Sequence, residues 1–194
     1  MNLRIGFVLC GSFCTFSRVT EVIRQLVADG ADVTPILSFT AASLDTRFGT
    51  ASHWRQQLTE ITGHEPLATL TEVEPIGPRG MFDVLVVAPC TGTTLSKLAQ
   101  GQSNTPAALA VKSHLRRERP VVLAVSTNDA LGASFVHIAQ LKNTKHLYLV
   151  PMAQDDPVRK PNSLVADFER IAPTVEAALE HRQLQPLLLA PAAP

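Results

Sequence analysis

Three stretches of this chain are nearly unbroken in aliphatic residues: RIGFVLC (4–10), FDVLVVA (82–88) and PVVLAVS (120–126). A strand with one wet face alternates apolar and polar residues, whereas a parallel strand covered on both faces reads as a continuous apolar run. These three runs therefore demand a sheet with helices on both sides. Further strands are expected at DVTPILS (32–38), EPLATLT (65–71) and HLYLV (146–150).

The covering helices are legible between them. SRVTEVIRQLVADG (17–30) puts Val19, Val22, Ile23, Leu26 and Val27 on one face, with Gly30 where a helix C-terminus expects it. In TASHWRQQLTEITG (50–63), Trp54, Leu58 and Ile61 share a face and Gly63 is the stop. Helices are also expected over 92–101, 105–117, 134–141 and 165–180. Strands alternating with helices imply right-handed crossovers. The expectation is an α/β protein: one Rossmann-like, three-layer domain over 1–194, with a parallel sheet of about six strands and a Pro-rich tail at about 183–194.

Hydrophobic residues are 45% of the chain and charged residues 18%, an ordinary globular balance. Lys plus Arg and Asp plus Glu are 17 each, so no global basic excess argues for nucleic acid. The one basic cluster, KSHLRRER (112–119), reads as a solvated helix end, where cations suit the dipole. No apolar run approaches the ~18 residues needed to cross a bilayer. The cysteines, Cys10, Cys14 and Cys90, are odd in number and lack a disulfide-framework spacing, which fits a reducing, cytoplasmic setting.

In an open parallel sheet a ligand lies at the carboxyl ends of the strands. The turns found there are GSFCTF (11–16), SFT (38–40), PCTGTT (89–94), TNDALG (127–132) and PMAQDDP (151–157). Four carry Ser or Thr hydroxyls with helix N-termini just behind. Each alone reads as helix capping; together on one sheet edge they suit a phosphate and a polar ring system. Neither G-x-G-x-x-G nor a P-loop occurs, which leaves a mononucleotide-sized ligand such as FMN. The cysteines and the scattered histidines give no metal set. Cys10 and Cys14 read as buried small hydrophobes, and Cys90 as packed at the ligand turn beside a helix N-terminus that would lower a thiol pKa. Arg47 in LDTRFG and Arg159 and Lys160 in QDDPVRKPNS are candidates for clamping a dicarboxylate.

The segment APCTGTTLSKLAQGQSNTP (88–106) resembles the A-P-x-T-x-N-T turn of the homo-oligomeric flavin-containing cysteine decarboxylase superfamily. CGSFCTF and SFT are similar to its phosphate turns. Within it, DTRFG, EPIGP, APCTG, STNDALG and AQDDPVRKPNSLVAD resemble the B subunits of dipicolinate synthases, nearly end to end. The resemblance implies an FMN-binding homo-oligomer that works with the dehydrogenase-like A subunit of dipicolinate synthase, on which any NAD(P) would sit. The pair would oxidise dihydrodipicolinate to dipicolinate in the mother cell of a sporulating bacterium. Gly11, Ser12, Ser38 and Thr40 would take the phosphate, Cys90, Thr91, Thr93 and Thr94 the ring, and Ser126, Thr127 and Asn128 the ribityl chain or substrate. No catalytic residue is assigned. Thr93 replaces the superfamily's asparagine, and the decarboxylases' histidine has no counterpart, which favours oxidation. A decarboxylase of the same superfamily and a non-catalytic scaffold subunit are the alternatives.

Overall fold

The three-dimensional structure, a computed structural model, describes residues 2–190. The three continuous runs are its central strands: β1 (Arg4–Leu9), β3 (Val84–Cys90) and β4 (Val121–Thr127), with β2 (Asp32–Leu37) outside β1. All four are parallel, in the order β2-β1-β3-β4. Alternate side chains enter opposite cores, as the strand period requires. Phe7, Val86 and Val122 face one side; Val8, Val87 and Leu123 face the other.

The first core lies under α1 (Phe16–Ala28), which follows a short 3-10 turn, and under α3 (Ala51–Thr62) and α9 (Ile171–Leu179). The second lies under α5 (Ile76–Arg79), α6 (Gly92–Ala99), α7 (Pro106–Leu115) and α8 (Phe135–Lys142). Two short helices, α2 (Phe39–Ser43) and α4 (Leu70–Val73), complete the set. Close approach decides two glycines here. A Cβ on Gly6 would stand 2.5 Å from Leu85 Cδ1, and one on Gly77 would stand 2.4 Å from the Ser113 carbonyl oxygen where α5 meets α7.

The far side of the sheet forks. The first half of β4 pairs in parallel with β5 (Leu147–Leu149), while Ser126 and Thr127 pair antiparallel with β7 (Leu164–Ala166), which pairs with β6 (Met152–Ala153). The sheet thus has seven strands, close to the expected number of about six, and β7 runs antiparallel to both of its neighbours. Residues 165 and 166, expected to open a helix, belong to β7; Asp167 then accepts from the Glu169 amide and α9 begins at Ile171. Residues 65–71, expected as a strand, give only a bridge at Leu67; Thr69 then forms a capping box with Glu72 and starts α4.

The tail is an edge element as far as residue 190. Met152 N donates to Leu187 O and Leu189 N donates to Met152 O, each at 2.9 Å. The side-chain amide of Gln183 bonds both the N–H and the C=O of Leu149. On the opposite margin Leu67 exchanges two backbone bonds with β2. Among the described residues no helix is long and apolar enough to cross a membrane.

Candidate functional site

At the carboxyl ends of β1, β3 and β4 lies a cavity of about 490 Å³, lined mainly by polar groups. It gathers Gly11, Ser12, Thr91, Thr93, Ser126, Thr127 and Asn128, from three turns far apart in sequence. The Ser12 and Ser126 hydroxyls meet at 3.0 Å, which ties the β1 turn to the β4 turn. Because Ser126 and Thr127 lie in the ladder with β7, their positions are fixed by backbone pairing rather than by a free loop.

The helix N-termini behind the cavity are left open. Thr91 is the N-cap of α6, yet its hydroxyl donates to Thr94 Oγ1 at 3.3 Å and caps nothing. Ser134, the N-cap of α8, donates instead to Asp129 Oδ2 at 2.9 Å. Ser38, by contrast, caps α2 by accepting from the Ala41 amide. Uncapped first-turn amides carry the positive end of the helix dipole and remain available to an anion or a carbonyl.

Asp129 is the one carboxylate in the lining. Its Oδ1 accepts from Thr127 at 2.5 Å and its Oδ2 from Ser134. The Thr127 hydroxyl holds the carboxyl below its ordinary range, against burial, with Ser134 adding to the effect. Gly92 makes this packing possible: a Cβ there would stand 2.9 Å from Asp129 Oδ1, Ser134 Oγ and Thr127 Oγ1. His137, one turn along α8, also lines the cavity, and its buried Nδ1 has no hydrogen-bond partner among the described residues. Ser96, Asp129, Ser134 and His137 were not assigned from sequence. The i, i+3 spacing of Ser134 and His137 was the available signal, but only the approach of α8 to Gly92 puts them in the cavity.

The other expected residues sit around this centre. Thr40 is exposed at the start of α2, its Cγ2 3.0 Å from where a Gly11 Cβ would stand, so Gly11, Ser38 and Thr40 form a shoulder beside the cavity. Cys90 and Thr94, expected at the ring, lie behind the cavity lining. Cys90 is fully buried in the second core, and Thr94, 6% exposed, donates to Cys10 Sγ at 3.3 Å behind the cavity. Burial pushes the Cys90 thiol well above its ordinary value, the reverse of the lowering a helix N-terminus would give. Cys14, expected inside, is exposed, with Sγ 4.0 Å from Ser12 Oγ. Arg47 lies in an exposed loop with its guanidinium over the Phe48 ring. Arg159 and Lys160 sit in the excursion between β6 and β7. There Asp155 raises the Lys160 pKa through a 2.9 Å ion pair, and the Arg159 amide donates to Asp156. Among the described residues no cluster of His, Cys, Asp and Glu forms a metal site.

The flavoprotein family model matches residues 1–180. Over 186 residues the chain is 44% identical to the B subunit of dipicolinate synthase from Bacillus subtilis (strain 168), covering 96% of this chain and 93% of that protein. The crystal structure of the dipicolinate synthase B subunit from Bacillus halodurans C superposes with a TM-score of 0.90 at 41% identity, over 98% of this chain and all of that one. An FMN-dependent cysteine decarboxylase superposes with a TM-score of 0.66 at 20% identity, over 92% and 96% of the two chains, a likeness of fold alone.

Proposed function

The chain belongs to the flavoprotein family, and from that premise we propose that it is the FMN-binding B subunit of a dipicolinate synthase, which oxidises dihydrodipicolinate to dipicolinate with a dehydrogenase-like A subunit. The observation that carries the reading is the cavity at the strand ends, hydroxyl-lined and backed by the uncapped N-terminus of α6. Its donors are neutral, so a phosphate or carbonyl can be held without stripping water from an opposing charge. The unpartnered Nδ1 of His137, in a lining of hydroxyls, fits a polar group bound in this space.

In this reading Gly11, Ser12, Ser38 and Thr40 bind the phosphate. Thr91, Thr93 and the first-turn amides of α6 face the ring, and Ser126, Thr127 and Asn128 orient the ribityl chain or the substrate. Asp129, kept ionised, accepts from an N–H or O–H of the bound group. When bound, FMN supplies a two-electron acceptor. Aromatisation of the substrate releases two electrons and two protons, so the protein's work is to orient and to exclude water. Arg47 and Arg159, neither of them in an ion pair among the described residues, are the candidates for the two substrate carboxylates, with Lys160 beside them. Nicotinamide, where it takes part, is assigned to the A subunit.

A homo-oligomer is part of the proposal. Phe39, Leu44 and Phe48 are exposed around Thr40, and Leu131, Phe135 and Val136 are exposed beside the cavity. These apolar surfaces flank the site and suit burial against a second copy.

The test is to incubate the purified protein with FMN, desalt it and record the spectrum. It is then assayed for dipicolinate formation with and without the A subunit. Retained flavin, lost on Thr91→Ala with Thr93→Ala, and turnover that needs both subunits are expected. A protein that never retains FMN sinks the flavin assignment; one that binds the A subunit without flavin supports the scaffold role instead.

A further inference from the structure

A second concavity, of about 370 Å³, lies at the other end of the sheet, where α6, α7 and α8 finish and β5 begins. Its floor is apolar: Leu98 and Ala99 of α6, Val111 and Leu115 of α7, Leu141 of α8 and Leu147 of β5. Gln140 Nε2 donates to the Ala99 carbonyl at 2.6 Å and ties the α8 wall to the α6 wall, so the groove is braced rather than a gap between loose helices.

Its rim is cationic and uncompensated. Lys112 and Arg116 line it, and Lys97 reaches it through Gln102 at 3.3 Å. Lys97 is otherwise held by Asn104 Oδ1 and Lys112 by Ser103 Oγ, both neutral. None of the three forms an ion pair among the described residues, although the chain has as many carboxylates as cations. The helix dipole accounts for cations in a last helical turn. It does not account for an apolar trough between three of them. Apolar floor and cationic rim together match a polypeptide segment that carries apolar anchors flanked by Asp or Glu.

We infer that this groove docks an acidic, apolar-anchored segment of the dehydrogenase-like A subunit; the identity of that partner rests on the two-subunit reading above. The groove and the flavin cavity are separated by the length of the central strands. The A subunit can therefore be held at one end while the other stays open to cofactor and to a second copy of this chain.

The experiment is biolayer interferometry of the full-length protein, loaded with FMN, against the purified A subunit at 50, 150 and 500 mM NaCl. It is paired with carbodiimide coupling, which joins a lysine amine to a carboxylate with loss of water. For the wild type we expect binding that weakens with salt, and a cross-link from Lys112 to an Asp or Glu of the A subunit. Lys112→Glu with Arg116→Glu should weaken binding at least 10-fold with FMN retention unchanged, while Arg24→Glu, on α1, leaves it intact. If the charge reversal disturbs folding, Lys112→Gln with Arg116→Gln is the variant to read, with a smaller loss in the same direction. Reversal variants that fold and bind as the wild type does overturn the groove assignment and leave the two-subunit reading standing. A wild type that does not bind the A subunit overturns both, while retained FMN would still support the flavin site.

Discussion

His114 should make this protein lose stability between pH 7 and pH 5, where most proteins are near their most stable. It lies on α7, only 1% exposed, and its Nε2 has no hydrogen-bond partner among the described residues. Burial pushes its pKa down to about 4, with the Arg119 guanidinium adding to the push and the Pro120 carbonyl opposing it. A histidine whose folded pKa lies below its unfolded one favours the unfolded chain once protons become available. Stability is therefore full above about pH 7 and falls as the pH drops through 6.5 toward 4, where it levels off. From about 6.5 unfolded to about 4 folded, linkage gives a loss of about 2 kcal/mol by pH 5 and about 3.4 kcal/mol at the acid limit. Carboxylates held low, such as Asp83 between Arg4 and Arg119, lose their contribution only at more acid pH and so stay out of the window from 7 to 5; the His114 variant separates this histidine from the other five. The assay is urea unfolding at fixed protein concentration and ionic strength, at pH 7.5, 6.5, 5.5 and 5.0. His114→Asn serves as a comparison that offers the Pro120 carbonyl a donor but does not titrate. The substitution should lower stability at pH 7.5 through lost packing and flatten the pH dependence. A wild type that holds its midpoint to pH 5, or a variant with the same slope, would refute the reasoning.

Gly92→Ala should cost FMN affinity at least 10-fold with little change in melting temperature, because its Cβ crowds three oxygens at the cavity rather than the core; equilibrium dialysis with FMN reads it. Gly77→Ala meets the Ser113 carbonyl at 2.4 Å and should destabilise by about 1–3 kcal/mol, as overpacking does, measured by thermal melting. Of the three thiols, a disulfide reagent such as Ellman's should find one in the native protein, that of Cys14, and three after denaturation. Burial raises the Cys10 pKa to about 11 and pushes that of Cys90 well above its ordinary value. Two fast-reacting thiols in the folded state would contradict the buried placement.

How much of this was visible in the residues depended on how local the cause was. The central strands were legible because burial on both faces leaves a continuous aliphatic run. The ends of α1 and α3 were legible because Gly30 and Gly63 take positive φ, which few other residues adopt cheaply. β6 and β7 were missed: at two and three residues they are too short for a period, and they exist because β4 offers them an edge. At 65–71 the apolar composition suggested a strand, while the T-x-x-E of Thr69 and Glu72, the stronger local signal, marked a helix start. In the site, the hydroxyl turns were found because each follows a recognisable strand. The inward sense of Cys90 was hidden because it depends on register, which shifts between Val87 and Cys90, and that of Thr94 because it depends on how α6 packs against Cys10. Asp129 and Ser134 were missed because their partnership across the turn needs the third dimension.

The margins of the sheet are already satisfied from within. Leu67 covers the free side of β2, the Gln183 amide does the same for Leu149, and residues 187–189 do so for Met152. At these points, among the described residues, the donors and acceptors that an added strand would need are already spent. Edge-to-edge growth of the cross-strand kind is thereby disfavoured at those points even when the protein is crowded.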